Sequence, residues 1–314
     1  MTDQELAIKI RGLKKTYAAE GASPEKIALK GIDLSIPKGS IFGLLGPNGA
    51  GKSTIINIIA GVVDKTEGSV EVWGFDINKD TRNAKANIGI VPQEVHIDAY
   101  FTPFEILELY AGYYGIPKAE RRSMEILRAM RLEDQRDAYT RLLSGGMKRR
   151  LLVGKAMVHN PAILVLDEPT AGVDVELRKH IWQYVRELNK KGVTIVLTTH
   201  YLEEAEELCD EIAIINHGEL VICEKTPKLL NQLDEKMIVI LPVNPVSELP
   251  DTIKEIGGKL NDDGNIIIHF SPSTITVGEI LNKIAATDIE ISDLKTEESD
   301  LEDIFLQLTK SNEG

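Results

Sequence analysis

Cysteine and long apolar runs are scarce in this sequence. Cys209 and Cys223 are the only cysteines among 314 residues, and they form no C-x-x-C pair. Because no secretory context accompanies them, we expect reduced thiols in a cytosolic protein. No apolar run approaches the ~18 residues that span a bilayer, and the first residues lack the apolar core of a signal peptide. The sequence therefore predicts no direct membrane insertion.

Positive charge is also in short supply, and the shortage is uneven. The chain has 36 Lys and Arg against 49 Asp and Glu, a net charge of −13. From Lys225 onward there are 8 basic residues against 17 acidic ones, so this segment carries −9 of the total. Sequence-independent nucleic-acid binding and docking on anionic lipids both need clustered Lys and Arg. We therefore expect no nucleic-acid partner, and any role at a membrane has to pass through a protein partner.

Apolar runs that alternate with helical stretches are what the sequence does contain. Buried strands are predicted at 40–45, 87–92, 162–168 and 193–199, and helices at 52–61, 104–115, 123–132, 147–158 and 177–192. Shorter β-like runs precede them, and the run 212–224 indicates an antiparallel hairpin. Strands that alternate with helices predict an α/β domain with a mixed, largely parallel sheet and an antiparallel β subdomain.

A boundary between two domains is predicted near residue 225. Thr226 followed by Pro227 is typical of a helix start, and the pattern beyond it mixes short strands with short helices. We therefore predict a domain over 1–225 and a small, acidic α+β domain over 226–314.

The strongest local pattern is GLLGPNGAGKST, which contains the spacing Gly46-x4-Gly51-Lys52-Ser53 of a P-loop. It follows a predicted strand and precedes a predicted helix, as phosphate-binding loops do. In such loops, backbone N–H groups surround the phosphates, the lysine neutralises their charge and the serine hydroxyl ligates Mg²⁺. The predicted nucleotide-binding residues are Gly46, Asn48, Gly49, Gly51, Lys52, Ser53 and Thr54.

A carboxylate partner for the metal follows at the end of the run 162–168. Asp167 and Glu168 lie at the predicted carboxyl edge of the sheet, where α/β proteins hold ligands. We predict that Asp167 holds Mg²⁺, directly or through water, and that Glu168 activates the attacking water. A strand that ends in solvated acids is an ordinary feature by itself, but beside a P-loop it indicates hydrolysis.

Two further residues concern the nucleotide. His200 ends the run 193–199 and is predicted to sense the γ-phosphate, whereas by itself it would be an ordinary surface histidine. The NKxD element that reads guanine in GTPases is missing, so ATP is the predicted nucleotide. Tyr17 is the candidate that stacks on its adenine, with core packing as the alternative.

A second helix start has the character of an anion site. Ser144 is a predicted N-cap, and Gly145 and Gly146 leave backbone N–H groups bare before an apolar helix. A helix N-terminus without obstructing side chains favours a phosphate group. The chain therefore carries two predicted phosphate sites that lie far apart in sequence.

Together these motifs resemble the ATPase subunit of ABC transporters over residues 6–224. GPNGAGKST resembles the Walker A motif, ILVLDE Walker B, LSGGM the signature, GIVPQE the Q-loop, EPTAGVD the D-loop and TTH the H-loop. GPNGAGKST, LSGGMKRR and DEPTAGVD are together similar to the bacterial ABC-2 type exporters, whose permease is a separate membrane protein. The segment SDLEDIFLQLT is similar to the carboxyl extension of that group.

The resemblance implies roles that the residues alone do not. Gln93 of the Q-loop is implied in catalysis and in the Mg²⁺ site, and Asp174 of the D-loop in nucleotide binding. In the family, the signature of one subunit closes over the ATP of the other. Ser144 and the two glycines after it would thus hold the γ-phosphate of a second copy's nucleotide, in a homodimer with two composite sites. Met147 stands where the commonest signature has Gln, so closure is expected to survive in weakened form.

Six of the 16 aromatic residues fall in a short window after the Q-loop. They are Tyr100, Phe101, Phe104, Tyr110, Tyr113 and Tyr114. In the family, this region and the Q-loop form the groove for a coupling helix of the permease, so we predict a docking role, with core packing as the alternative for part of the set. The acidic run 203–211 is instead predicted to be a solvated helix face.

The sequence therefore predicts the ATP-hydrolysing motor subunit of an ABC-2 type exporter. ATP would close a homodimer, hydrolysis would open it, and the permease would hold the subunit at the inner face of the cell membrane. One alternative is a non-transport ABC ATPase that acts on DNA repair or translation, but the coiled-coil insertion or second cassette of such proteins is missing. Another is a nucleotide-regulated binding protein without turnover, which a missing Glu168 or His200 would have supported.

Overall fold

The computed structural model describes residues 5–19, 24–170, 175–199, 201–230, 236–244, 246, 249–261, 264–270 and 274–298. Asp174, His200 and the segment 299–309 lie outside these ranges. The chain divides into two compact units, Met1–Lys225 and Thr226–Gly314. No helix in the described ranges is long and apolar enough to cross a membrane.

The helices and strands of the described residues follow the predicted alternation. The helices are α1 (Lys52–Ile59), α2 (Thr81–Ala86), α3 (Pro103–Tyr113), α4 (Ser123–Ala129), α5 (Gly145–Ala156), α6 (Val175–Lys190), α7 (Leu202–Leu208), α8 (Thr226–Leu230), α9 (Asp251–Lys254) and α10 (Val277–Ala285). The strands are β1 (Leu6–Tyr17), β2 (Lys26–Pro37), β3 (Ile41–Leu45), β4 (Glu67–Val72), β5 (Phe75–Asp76), β6 (Ile88–Val91), β7 (Ile163–Asp167), β8 (Thr194–Thr198), β9 (Glu211–Asn216), β10 (Glu219–Lys225), β11 (Lys236–Pro242), β12 (Gly258–Leu260), β13 (Ile266–Phe270) and β14 (Ile291–Glu298).

The central sheet of the first unit has the strand order β10-β9-β3-β8-β7-β6. The four predicted buried strands are β3, β6, β7 and β8, and they pair in parallel. The predicted hairpin forms between β9 and β10, but β9 also pairs in parallel with β3. The α/β prediction is therefore confirmed, with one parallel strand more than the sequence indicated. The pairing of Asp167 with Thr198 brings the ends of β7 and β8 to the same edge.

A second sheet, β2-β1-β4-β5, is antiparallel, and its strands come from both sides of β3 and α1 in the chain. Its first two strands have 12 residues each, longer than the short runs that the sequence predicts. Ile8 and Leu29 of this sheet belong to the same apolar core as Phe42 of β3. Burial of this shared core fixes the antiparallel sheet beside the central one.

A group of three helices, α3, α4 and α5, packs together in the first unit. The close approach of α4 and α5 depends on Gly154, because a Cβ there would lie 2.8 Å from Cγ2 of Ile126. Gly154 therefore allows α5 to pack closely against α4.

The second unit contains an antiparallel sheet with the strand order β12-β13-β11-β14. Alternate residues of β13 are buried, and they pack with α9 and α10 in a separate apolar core around Ile238, Ile253, Ile268 and Ile280. The predicted α+β organisation is confirmed for the described part of this unit. Strand β12 and, in the first unit, helix α2 were not predicted. Only Ala84 of α2 is buried, so its sequence shows no apolar periodicity.

Candidate nucleotide site

The loop between β3 and α1 has a backbone that only glycine can follow at two points. Gly46 has φ 153°, and a Cβ there would lie 2.1 Å from the carbonyl oxygen of Ile215. Gly51 has φ 115°, and a Cβ would lie 2.9 Å from the carbonyl oxygen of Ala28. Gly51 is also the N-cap of α1 and offers no side-chain hydrogen bond. The first N–H groups of α1 are therefore left for an external acceptor such as phosphate.

Lys52 is held against this loop. Its Nζ donates to the carbonyl oxygens of Gly46 (2.6 Å) and Pro47 (3.1 Å), and only 7% of the residue is exposed. Burial lowers the pKa of its ammonium, and the charges of Glu168 and Asp167 oppose that shift. The buried ammonium of Lys52 thus lies beside the loop and interacts electrostatically with the carboxylates of Asp167 and Glu168.

Asp167 ends β7 at the carboxyl edge of the sheet. Its carboxylate accepts a hydrogen bond of 2.5 Å from Oγ1 of Thr198. Burial raises the pKa of this carboxyl, while the Thr198 bond, Lys52 and Arg149 lower it. An oxygen set of Asp167 and the hydroxyl of Ser53 fits Mg²⁺, which takes one or two protein oxygens together with phosphates. No cluster of three His, Cys, Asp or Glu among the described residues forms a metal site by itself.

Glu168 is buried and has a left-handed backbone with φ 45°. That conformation costs a non-glycine residue about 1–2 kcal/mol, so the surroundings have to impose it. Its N–H donates to the carbonyl oxygen (3.1 Å) and Oγ1 (3.0 Å) of Thr198. Its Oε2 accepts a hydrogen bond of 3.0 Å from Nε2 of Gln93. The structure therefore brings together Gln93 and Glu168, two of the predicted catalytic residues.

Arg149 on α5 is a residue of this site that the sequence did not reveal. Only 3% of it is exposed, and its guanidinium donates to the carbonyl oxygens of Pro92, Gln93 and Glu168, each at 2.8 Å. Burial lowers its pKa, opposed by the charges of Asp167 and Glu168. It stands in the basic run KRR, where the sequence does not show which cation turns inward.

The second predicted phosphate site lies at the start of α5. Ser144 is its N-cap, and Oγ accepts a hydrogen bond of 3.2 Å from the N–H of Met147. Ser144 and Gly145 are exposed, and a Cβ on Gly145 would meet nothing within 4 Å. Ser144, Gly146 and Met147 border a cavity of 370 Å³, and no residue of the loop 46–54 lines it. The cavity at this helix start is therefore not bordered by the chain's own P-loop.

Comparison with known proteins decides the family. The ABC transporter family profile matches residues 29–171. The linearmycin resistance ATP-binding protein of Bacillus subtilis (strain 168) is 37% identical over 310 residues, 96% of this chain and 98% of that relative. The Nod factor export ATP-binding protein I of Paraburkholderia xenovorans (strain LB400) is 36% identical over 311 residues, 97% of each chain. This chain belongs to the ABC transporter family.

Solved structures agree with this assignment. The ATP-binding subunit of an ABC transporter aligns with a TM-score of 0.65 at 27% identity, over 72% of this chain and 92% of that one. An ATP-binding cassette in a dimeric post-hydrolysis state, bound to ADP and Pi, aligns with a TM-score of 0.64 at 30% identity, over 70% and 98%. The chain is an ATP-binding, ATP-hydrolysing subunit of the ABC-2 exporter type, and a non-transport role is not favoured.

The remaining predicted nucleotide residues of this ABC subunit are less fully defined. Tyr17 ends β1 and is 37% exposed, with Nζ of Lys15 4.7 Å from its ring centroid. Asn48 and Ser53 are exposed beside Gly49, whose φ is 82°. The structure therefore leaves the adenine-stacking role of Tyr17 a prediction, and the roles of Asp174 and His200 likewise.

The acidic run after the H-loop is not the uniform solvated face that the sequence indicates. Glu204 is only 6% exposed, and its Oε2 accepts from Oγ1 of Thr170 (2.9 Å) and Thr199 (3.2 Å). Nε of Arg178 lies 3.2 Å from the other carboxylate oxygen. The prediction is therefore wrong for Glu204, while Glu203 and Glu207 are exposed as expected. A sequence with four Glu in this helix does not show which one is buried.

None of the six aromatic residues of the window is fully buried. Tyr100 and Phe101 precede α3, whereas Tyr113 and Tyr114 lie at its end, roughly 16 Å away for 11 helical residues. Near the first group, the Arg141 guanidinium lies 5.9 Å from the ring of Tyr100 and 5.2 Å from that of Tyr139. We call the exposed side chains of Tyr100, Phe101, Tyr139 and Leu142 the aromatic patch.

Proposed function

We propose that two copies of this subunit enclose two ATP molecules and drive a separate membrane permease of the ABC-2 type. The observation that carries this proposal is the pair of helix starts. The start of α1 lies beside its own buried cation, while the start of α5 is open and borders a cavity that no residue of that loop lines. A second copy supplies the missing half of each site, since a two-fold axis pairs the loop of one with the signature of the other.

The residues within one chain take these roles in the proposal. The loop amides and Lys52 bind the β- and γ-phosphates. Ser53, Asp167 and Gln93 would hold Mg²⁺, which would neutralise part of the phosphate charge. Glu168 takes the proton of the attacking water, and Gln93 orients its carboxylate through the 3.0 Å hydrogen bond.

The residues that reach the other copy's nucleotide are Ser144, Gly145 and Gly146. The hydroxyl and the bare amides of the helix start donate to the γ-phosphate, which ADP does not have. ATP therefore closes the dimer and hydrolysis opens it.

The aromatic patch is the proposed docking surface for the permease. Tyrosines with an apolar body and a polar tip suit a helix-in-groove contact, and the patch follows Gln93 in the chain. The permease would hold the subunit at the inner face of the cell membrane. Because the relatives' names join linearmycin resistance and Nod factor export to the same kind of subunit, we assign cargo choice to the permease.

The dimer is tested with Glu168→Gln, which keeps the size of the side chain and removes its charge. Because bound ATP persists, the variant should run as a dimer in ATP and Mg²⁺ and as a monomer in ADP. Adding Ser144→Arg fills the anion site, so the double variant should bind ATP and stay monomeric. Size-exclusion chromatography with light scattering measures both. A dimer that forms without ATP in both variants would contradict the proposal.

Docking is tested with Tyr100→Ala and Tyr139→Ala, with Tyr113→Ala at the other end of α3 as the matched control. The first two should reduce co-purification with the permease and leave basal ATPase activity of the isolated subunit unchanged. Equal permease binding by all three variants would refute the patch as the docking surface.

A further inference from the structure

Arg149 connects the signature helix to the hydrolytic site of the same chain. It lies on α5, five residues after Ser144, or roughly 7.5 Å along the helix axis. Its three hydrogen bonds, each 2.8 Å, end on carbonyl oxygens of two other segments, 92–93 and residue 168. One side chain thus ties α5 to both the Q-loop and the end of β7.

Both segments determine where the Glu168 carboxylate stands. The peptide units around Glu168 are held from two sides, by Thr198 at its N–H and by Arg149 at its carbonyl oxygen. The carboxylate itself accepts a hydrogen bond from Nε2 of Gln93. The backbone carbonyl oxygen of Gln93 in turn accepts a hydrogen bond from Arg149. Because Glu168 has a left-handed backbone, loss of the carbonyl contact removes one of the bonds that impose it.

The chemistry of the guanidinium makes this connection stiff. Its donors form a planar fork of fixed geometry, and here they reach three acceptors at once. A lysine ammonium is a point charge on a flexible stem and does not reproduce that fork.

We propose that Arg149 is a positioning residue that makes the placement of the Glu168 carboxylate depend on the position of α5. This inference rests on the proposed ATP-bound dimer. When the signature of one copy engages the ATP of the other, α5 moves and Arg149 carries the shift to its own chain's Glu168. Each copy thereby hydrolyses its ATP in response to the other copy's ATP, and hydrolysis is cooperative in ATP concentration.

The matched experiment compares Arg149→Lys with Arg121→Lys. Arg121 also donates to a backbone carbonyl, that of Ile116 (3.0 Å), and to Glu108 (2.8 Å), but it contacts no residue of the nucleotide site. ATPase activity is measured over a range of ATP concentrations at a fixed protein concentration that allows dimers. ATP binding to the chain and the melting temperature are measured alongside.

Arg149→Lys should lower kcat by roughly 10- to 100-fold, the effect of a catalytic group displaced by about 1 Å. The Hill coefficient should fall from about 2 to about 1, because two sites no longer communicate. ATP binding should change less than about twofold, since Arg149 borders no residue of the loop. Arg121→Lys should behave like the parent chain in all three measurements.

Two additional variants keep the inference testable if Arg149→Lys is unstable. Arg149→Ala should regain activity in millimolar methylguanidinium but not in ethylammonium, because only the former restores a planar fork of donors. Glu168→Gln with Arg149→Lys should still dimerise in ATP, since Ser144 and its glycines are intact.

Several results would overturn the inference. A Hill coefficient of 1 for the parent chain would show that the two ATP sites are not coupled. An unchanged Hill coefficient in Arg149→Lys would show that Arg149 does not couple them. If Arg149→Lys lost both ATP binding and folding, and methylguanidinium did not restore the activity of Arg149→Ala, the role of Arg149 would be purely structural. If Glu168→Gln dimerised in ATP but the double variant with Arg149→Lys did not, Arg149 would support the signature contact rather than the placement of Glu168. Failure of Glu168→Gln alone to dimerise would contradict the proposed dimer itself.

Discussion

Two helices of the first unit begin at glycine-rich turns, and they differ in what surrounds their first N–H groups. At the start of α1, Gly51 gives no side-chain cap, and the buried Lys52 stands against the loop. At the start of α5, Ser144 caps the helix with its own side chain, and Gly145 faces open space. The first start therefore has a buried cation of its own chain beside it, whereas the second is capped by a serine and is exposed.

The difference shows how one kind of local structure serves two purposes. A helix start that has a lysine of its own chain beside it, and glycines without obstructing side chains, can hold a phosphate within one chain. A helix start that is exposed can contribute contacts to a phosphate that another chain already holds. The same substitution should therefore have different consequences at the two helices.

The largest contrast is expected for the lysines. Lys52→Met removes the cation beside the loop and should lower ATPase activity by about 10²-fold or more, the cost of removing one charge-stabilising donor. Lys148→Met, in the first turn of α5, should leave ATP binding to the isolated chain unchanged. Filter binding of labelled ATP and steady-state phosphate release measure both. Equal loss of ATP binding in the two variants would show that the helix starts are not distinct.

Glycine-to-alanine substitution should have opposite effects on stability at the two helices. Gly46→Ala places a Cβ 2.1 Å from a backbone oxygen at φ 153°, so the free energy of unfolding should fall by about 3 kcal/mol or more. Gly145→Ala meets nothing within 4 Å and should stabilise the chain by about 0.5 kcal/mol.

Activity separates the two roles of these glycines further. Gly145→Ala should lower ATPase activity by about tenfold, because its methyl group stands between the amide and an incoming phosphate. Urea unfolding monitored by tryptophan fluorescence gives the stabilities. Full activity in Gly145→Ala would mean that no phosphate approaches this helix start.

The start of α1 could be predicted from sequence because its determinants are contiguous. Strand, glycines, lysine and helix follow each other from residue 41 to residue 59, and the parallel strands β7 and β8 bring their ends to the same edge. The cap at Ser144 was equally local. Patterns of this kind need no knowledge of tertiary contacts.

The contacts of Arg149 and Glu204 could not be predicted, because they join residues far apart in the chain. Arg149 is one of three consecutive cations, and Glu204 is one of several acids on a short helix. The composition of such charged runs predicts that their side chains are exposed to solvent. Only the fold shows which side chain of the run is buried. The extra parallel strand β9 was missed for a similar reason, since a hairpin signal specifies its partner β10 and not its other neighbour.

The partly buried carboxylate of Asp167, near α1, should have an effect of intermediate size. Burial raises the pKa of Asp167, so between its unfolded and folded pKa values the folded state binds more protons than the unfolded state. Stability contributed by this group therefore falls as pH rises through that window, and the penalty is complete above the folded pKa. Asp167→Asn should remove it and stabilise the chain at neutral pH by about 1 kcal/mol.

The sign of this effect is checked by urea unfolding at several pH values. The advantage of Asp167→Asn over the parent should shrink as pH falls from the folded pKa of Asp167 to its unfolded pKa and should be gone below the unfolded pKa, while ATPase activity is lost at every pH. The Asn oxygen can still accept the hydrogen bond of Thr198, so that contact is preserved. A less stable Asp167→Asn at neutral pH would show that Lys52 and Arg149 compensate the buried charge fully.

The smallest effect is expected at Met147, the third residue of α5. A Gln in this position follows the Ser-x-x-Gln pattern of a capping box, in which its side chain accepts from the N-cap N–H. Met147→Gln should therefore stabilise the chain by about 0.5 kcal/mol, since the N-cap bond from Ser144 already exists.

The same amide of Gln could instead reach the nucleotide of a second copy, and the two uses compete for one side chain. One neutral hydrogen bond shared in this way should tighten the ATP dimer of Glu168→Gln by no more than about threefold. Sedimentation velocity over a dilution series, with Met147→Leu as the apolar control, measures that affinity. A dimer that tightens with Leu as much as with Gln would trace the change to packing rather than to hydrogen bonding. Tightening of the ATP dimer well beyond threefold with Gln alone would instead show that Met147 lowers the affinity of the dimer. The start of α5 would then favour dissociation of the two copies.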